Sequence, residues 1–226
     1  MKRLAALAAL ALTACAPQMG NRADAPRLRL AANPSAVIAA EIGFNRLAQD
    51  QGQWTAFRET AAKGAEMFVP DRVAADSWLK GRTDPPVAVK WQPSDVWSSC
   101  DGTYAVTRGV WQRPGSTGSF ATVWQRQKDG RYKWLLDMSL ADETTAASPD
   151  TVNATVADCP RGPERKPPVA PEISAASSPP SKSDDATLTW QAQVTDGGAR
   201  QFTLWISKDG AMREVMGARL RTPGRE

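Results

Sequence analysis

The sequence predicts an α+β fold, with helices first and a curved antiparallel sheet after them. Three observations carry this expectation. Apolar residues recur at helical spacing from Pro34 to Asp50, the period changes from 3.6 to 2 at Val87, and the strand-like runs beyond it are joined by short Gly-containing turns. Helices that precede a strand meander pack on one side of it, because each has a single apolar stripe to bury.

Asn33-Pro34 has the form of an N-cap followed by the first helical residue. Val37, Ala40, Phe44 and Leu47 then make one stripe with Glu41 set inside it, and Gly52 breaks the helix. A second helix is expected from Gln53, with Trp54, Phe57 and Ala61 on one side. Met67-Phe68-Val69-Pro70 reads as a short extended piece. Asp71 is expected to cap a third short helix that ends at Gly81, with Val73 and Trp78 inward.

Val87, Val89 and Trp91 alternate, and Pro93 interrupts the strand, which marks a bulge or an edge. Val96 to Cys100 resumes it, and Asp101-Gly102 is a two-residue hairpin signal. Tyr104, Val106, Arg108 and Val110 share one face of the next strand, with Trp111 on the other. Pro114 to Gly118 reads as a loop, Phe120 to Arg126 as a strand, and Asp129-Gly130 as its turn. Tyr132, Trp134, Leu136 and Met138 then share a face of the returning strand.

These elements place one domain at 33–145. Residues 146–186 contain Pro160, Pro163, Pro167, Pro168, Pro171, Pro179 and Pro180 among Ser, Ala and Lys, the composition of a linker. Three strand-like runs occupy 187–218, separated by Asp196-Gly197-Gly198 and Asp209-Gly210; so small a meander is expected to dock on the main sheet. Residues 219–226 read as a tail.

The N-terminus carries a targeting signal. Lys2 and Arg3 precede an apolar run from Leu4 to Leu12, far short of the roughly 20 residues a spanning helix needs. Leu12-Thr13-Ala14-Cys15 resembles the lipobox of bacterial lipoproteins. The resemblance implies that residues 1–14 are removed and that Cys15 becomes a lipidated N-terminus. That cysteine would carry a diacylglyceryl thioether and a further acyl chain such as palmitate, which together anchor a protein stably to a membrane. Residues 15–32 would then be a flexible tether holding a periplasm-facing domain. Ala16-Pro17, with no Asp beside the cysteine, fits an outer-membrane destination.

Composition excludes several functions. The formal charge is +4, part of it from Lys2 and Arg3, too mild for a nucleic-acid partner. The chain has no histidine, which excludes Ser-His-Asp and Cys-His catalysis and His-ligated zinc. No metal-ligand spacing or phosphate-cradling glycine loop occurs, so neither metal nor cofactor is expected. With Cys15 lipidated, Cys100 and Cys159 remain as an even pair in an oxidising compartment and are expected to form a disulfide. The nine tryptophans are expected mainly in the core.

Several segments together resemble the nuclear transport factor 2-like superfamily, in its exported and functionally uncharacterised branch, which includes ketosteroid-isomerase-like domains. They are Val37 to Phe44, Gly52-Gln53-Trp54-Thr55-Ala56-Phe57, Trp91-Gln92-Pro93-Ser94, Asp101 to Gly109, and Thr122 to Gln127. The resemblance implies a cone-like (cystatin-like) domain with a pocket between sheet and helices, and a homodimer formed through the sheet. Enzymatic relatives place a carboxylate base and hydrogen-bond donors in that pocket. No catalytic motif of the family maps onto this chain, so the pocket candidates come from pattern alone: Glu41 on the apolar helix face, Asp137 inside the last strand of the meander, and Tyr104 and Trp124 in strands.

Each carboxylate has a plain structural alternative: Glu41 capping backbone groups or pairing with Arg108 or Arg126, and Asp137 on a solvated face opposite Trp134. The leading reading is non-catalytic binding of a small apolar ligand or an envelope partner. A pocket enzyme of isomerase, dehydratase or hydrolase type, and a scaffold for envelope proteins, are the alternatives.

Overall fold

In a computed structural model of the chain, residues 31–141, 150–160, 180–194 and 199–220 are described. Cys15, the signal segment, the tether to residue 30 and the tail beyond 220 lie outside them. Three helices come first or early: α1 (Pro34–Gln51), α2 (Gln53–Thr60) and α3 (Ala75–Leu79). Asn33 caps α1 by accepting the Ala36 amide at 3.1 Å, with Pro34 following. Gly52, at φ +112°, ends α1 and starts α2; a Cβ there would collide with the Asp84 carboxylate.

Among the described residues the strands form two sheets. The larger contains β1 (Ala61–Phe68), β2 (Arg72–Ala74), β3 (Lys90–Ser98), β4 (Tyr104–Arg113), β5 (Ser116–Arg126), β6 (Tyr132–Ala141) and β7 (Asn153–Val156), in the order β2-β1-β6-β5-β4-β3-β7. The smaller contains β8 (Ser181–Lys182), β9 (Leu188–Val194), β10 (Arg200–Lys208) and β11 (Ala211–Leu220), in the order β11-β10-β9-β8. The architecture is mixed and dominated by sheet.

The layers follow from the period of a strand, which sends consecutive side chains to opposite faces. Met67 and Phe68, Val96 and Trp97, Ala105 and Val106, and Val123 with Trp124 each split between two cores. One core lies between the large sheet and the helices and is rich in aromatic rings, including Phe44, Phe57, Trp124 and Trp134. The other lies between the two sheets, where Val106, Val123, Leu136 and Met138 meet Leu188, Phe202, Leu204 and Ile206. The C-terminal strands thus dock face to face on the main sheet as a separate layer.

Several boundaries differ from the sequence reading. Ala61 does not continue α2; it opens β1, which runs parallel to β6. Asp71 caps no helix, because Arg72–Ala74 pairs with β1 and α3 begins only at Ala75. Residues 116–119 belong to β5, so the turn before it is just Pro114-Gly115. The Asp101-Gly102 turn is wider than two residues: the Asp101 carboxylate accepts from Ser99 Oγ and from the Thr103 amide and hydroxyl, holding a longer connection. Part of the expected linker is strand, since Asn153–Val156 pairs parallel with β3 along a β-branched stretch. Cys159 follows at once and is joined to Cys100, with Cα atoms 5.2 Å apart.

Candidate functional site

Two β-bulges build the site on the helix-facing side of the large sheet. In β3 the register shifts between Pro93 and Asp95, so Trp91 pairs with Trp111 while Val96 pairs with Thr107. An odd and an even residue therefore share one face. In β6 the register shifts at Leu135: Trp134 pairs with Trp124, and Leu136 with Val123. Tyr132 and Trp134 consequently face the helices while Leu136 and Met138 face the second sheet, instead of all four sharing a side. The same shift returns Asp137 to Trp134's side. Bulges commonly re-aim side chains beside functional sites.

Glu41 projects from α1 into this region and is 1 % exposed. Trp91 Nε1–H donates to its Oε1 at 2.7 Å; Thr107 Oγ1 and Trp124 Nε1 meet its Oε2 at 2.5 and 3.0 Å. It pairs with neither Arg108 nor Arg126. Burial pushes its carboxyl up to about 7, with the nearby Asp137 charge acting the same way, while the bonds from Thr107, Trp91 and Trp124 oppose the shift. Thr107 Oγ1 also lies 3.4 Å from the Thr122 carbonyl, so a protonated Glu41 can donate to Thr107, which can pass its own hydrogen to Thr122.

Asp137 stands in β6 directly opposite Thr122. Thr122 Oγ1 donates to its Oδ2 at 2.9 Å. Desolvation by burial raises its pKa to about 6, partly offset by the Thr122 bond. It is on no solvated face. It borders a cavity of about 260 Å³ whose walls include Phe44, Trp54, Phe57, Trp91, Trp111 and Phe120. Ser139 and Gln53 add polar atoms, and Arg113 stands at the rim, its guanidinium 5.3 Å from the Trp111 ring centre.

The helices position these walls. Phe44 of α1 meets Phe57 of α2 and Trp91 of β3 edge-on, each at 4.7 and 4.7 Å between ring centres. The segment from 84 to 89 straps α2 to the sheet: Asp84 accepts from the Trp54 and Thr55 amides, and the Val89 amide donates to Gln53 Oε1 at 3.0 Å.

The sequence candidates separate accordingly. Glu41, Trp124 and Asp137 come together on the helix-facing side. Tyr104 does not: it packs in the inter-sheet core against Trp190, 5.1 Å between centres, and its hydroxyl accepts from Gln125. Sequence reasoning missed Thr107 and Thr122, whose hydroxyls serve the two carboxylates, and Trp91 as the partner of Glu41. The alternation of Ala105, Thr107, Gly109 and Trp111 held a signal, because polar and small residues there share the face of bulky tryptophans.

Comparison with known proteins adds little beyond this geometry. No family model matches the chain, and no curated protein matches it by sequence. Among solved structures it is similar to a presumed ketosteroid isomerase from Parabacteroides distasonis, with 14 % identity and a TM-score of 0.38, over 49 % of this chain and 94 % of that one.

Proposed function

We propose that this chain is a lipid-anchored, periplasm-facing cell-envelope protein whose domain binds a small, mainly apolar molecule without transforming it. The observation that carries the binding part is the aromatic cavity of about 260 Å³ that has a half-buried, desolvated carboxylate, Asp137, in its wall. Concave, mostly apolar cavities with a few placed polar groups are the usual form of small-molecule sites, and this one is slightly smaller than their usual range, which restricts it to a small molecule. The lipidated anchor at Cys15 and the nuclear transport factor 2-like assignment rest on the sequence resemblances alone.

A second reading follows from a specific feature. A carboxylate held near pH 6 at a cavity wall is suited to act as a general base, so a pocket enzyme using Asp137 is the alternative. Glu41 is less suited to touch a ligand, because it does not line the cavity and both its oxygens are occupied.

Ligand screening with tryptophan emission as readout tests the binding reading, because Trp54, Trp91 and Trp111 border the cavity. Small aromatic probes are expected to shift emission and raise the melting temperature with concentration. Ser139→Phe, which fills the cavity, is expected to abolish both effects. Unchanged responses in that variant place the probes elsewhere and defeat the reading. For the anchor, the intact mass of membrane-extracted protein is expected to begin at an acylated Cys15; an unmodified chain starting at Met1 defeats that part.

A further inference from the structure

The polar atoms of the cavity favour one kind of ligand over another. Asp137 uses Oδ2 for Thr122, while Oδ1 has no hydrogen-bond partner among the described residues and is not sealed from the open space. No described Lys or Arg pairs with it. The N–H groups of two wall tryptophans are already used, Trp91's by Glu41 and Trp111's by the Ser119 carbonyl and Ser139 Oγ. Gln53 Oε1 is taken by the Val89 amide. Seven aromatic residues complete the wall, and ring faces attract positive charge.

We propose that the cavity takes a small organic cation, a protonated alkyl- or arylalkylamine, whose ammonium donates to Asp137 Oδ1 while its apolar body lies among the rings. This deepens the small-ligand reading and rests on it. A carboxylate removed from water is costly without a counter-charge, and such a cation supplies one. Arg113 does not: it sits at the exposed rim over Trp111, with Nε donating to Ser116 Oγ at 2.9 Å. A neutral molecule of the same shape gains the ring contacts but no ion pair, and an anion meets the Asp137 carboxylate.

Three probes of matched shape test this on the full chain: benzylammonium, benzyl alcohol and benzoate, followed by calorimetry and tryptophan emission. At about pH 8, benzylammonium is expected to bind about tenfold or more tightly than benzyl alcohol, and benzoate more weakly than either. Asp137→Asn, an isosteric change, is expected to bring the ammonium and the alcohol to within about twofold of each other with alcohol binding retained.

The pH arm needs no variant. The titratable groups facing Asp137 are Glu41 from α1 and, at the rim, Arg113 from β4; Thr122 and Ser139 beside it do not titrate in this range. Moving from about pH 8 to about pH 5 protonates both carboxylates, so benzylammonium is expected to loosen and the alcohol to hold. Equal affinities for ammonium and alcohol in the wild type, or a preference that survives Asp137→Asn, overturn the cation assignment and leave the small-ligand reading intact. Binding of none of the three overturns both.

Discussion

The two faces of the large sheet are built from the same strands and differ in chemistry. The layer toward β9, β10 and β11 is packed with aliphatic residues around a few rings, among them Phe68, Trp97, Trp190 and Phe202, and carries no carboxylate among its buried residues. The layer toward the helices clusters its rings around a cavity and holds two desolvated carboxylates, the buried Glu41 and the half-buried Asp137. Close-packed apolar layers stabilise a fold, whereas cavities and desolvated charges work against it. The contrast teaches that the inter-sheet layer supports a helix-facing layer free to depart from optimal packing.

The largest expected effect sets how tightly the layers are coupled. Cys100–Cys159 joins the turn after β3 to the segment after β7. Its double replacement by Ser is expected to cost about 4 kcal/mol on the chain-entropy model. A single melting transition at lower temperature is the expected result; two separated transitions would show that the layers are independent units. Leu204→Ala comes next. Leu204 is fully buried between the sheets, so loss of about 3 kcal/mol is expected from transfer and cavity effects, with probe affinity of the folded protein unchanged. Reduced affinity at temperatures where the variant is fully folded would break the division of labour.

Glu41 allows the comparison to be made by pH. Its folded pKa, about 7, is above the ordinary 4.5, so the folded state holds a proton that the unfolded state has released between those values. Its favourable contribution is therefore present below about pH 4.5 and is lost as pH rises through about 7, an effect of order 3 kcal/mol. Asp137 acts with the same sign between 3.8 and about 6. Denaturation across this range is expected to show stability from these groups falling with rising pH. Glu41→Gln should flatten the slope, and Leu204→Ala should leave it alone. An unchanged slope in Glu41→Gln would remove Glu41 from the titration.

How much of this was readable from the chain depends on parity. α1 and its cap and the meander from β3 to β6 follow from local periodicity and turn residues, and the docking of the C-terminal strands from their small size, whereas β1 and β2 come before the switch expected at Val87. The site was harder because its members reach one face through shifts in that periodicity. Pro93 announced the first shift. The second is marked only by the apolar run Trp134-Leu135-Leu136, where strict alternation fails. Counting through it puts Asp137 on the wrong side. Tyr104 looked equivalent to Trp124 as a strand aromatic, yet even and odd positions on β4 and β5 go to opposite cores, and nothing local says which core has the cavity. β7 was hidden by the prolines that follow it, since its pairing with β3 is parallel and distant in sequence.

The smallest expected effect concerns the strap over the cavity. Gly52 precedes α2 and offers no side chain to its first amides, so Asp84 serves from a distant segment, accepting from the amides of Trp54 and Thr55 and from Thr55 Oγ1. These bonds, with Thr55 foremost, hold the Asp84 carboxyl below its usual range, so its contribution is present above pH 3.8 and is lost on acidification, opposite in sign to Glu41. Asp84→Ala is expected to cost about 1 kcal/mol, the usual value of a helix cap. The same bonds fix Trp54 and Gln53 at the cavity wall, so probe affinity should fall although Asp84 touches no ligand. Leu204→Ala costs more stability and should leave affinity alone. If Asp84→Ala lowers the melting temperature with affinity unaltered, the strap is a cap for α2 and contributes nothing to the wall's shape.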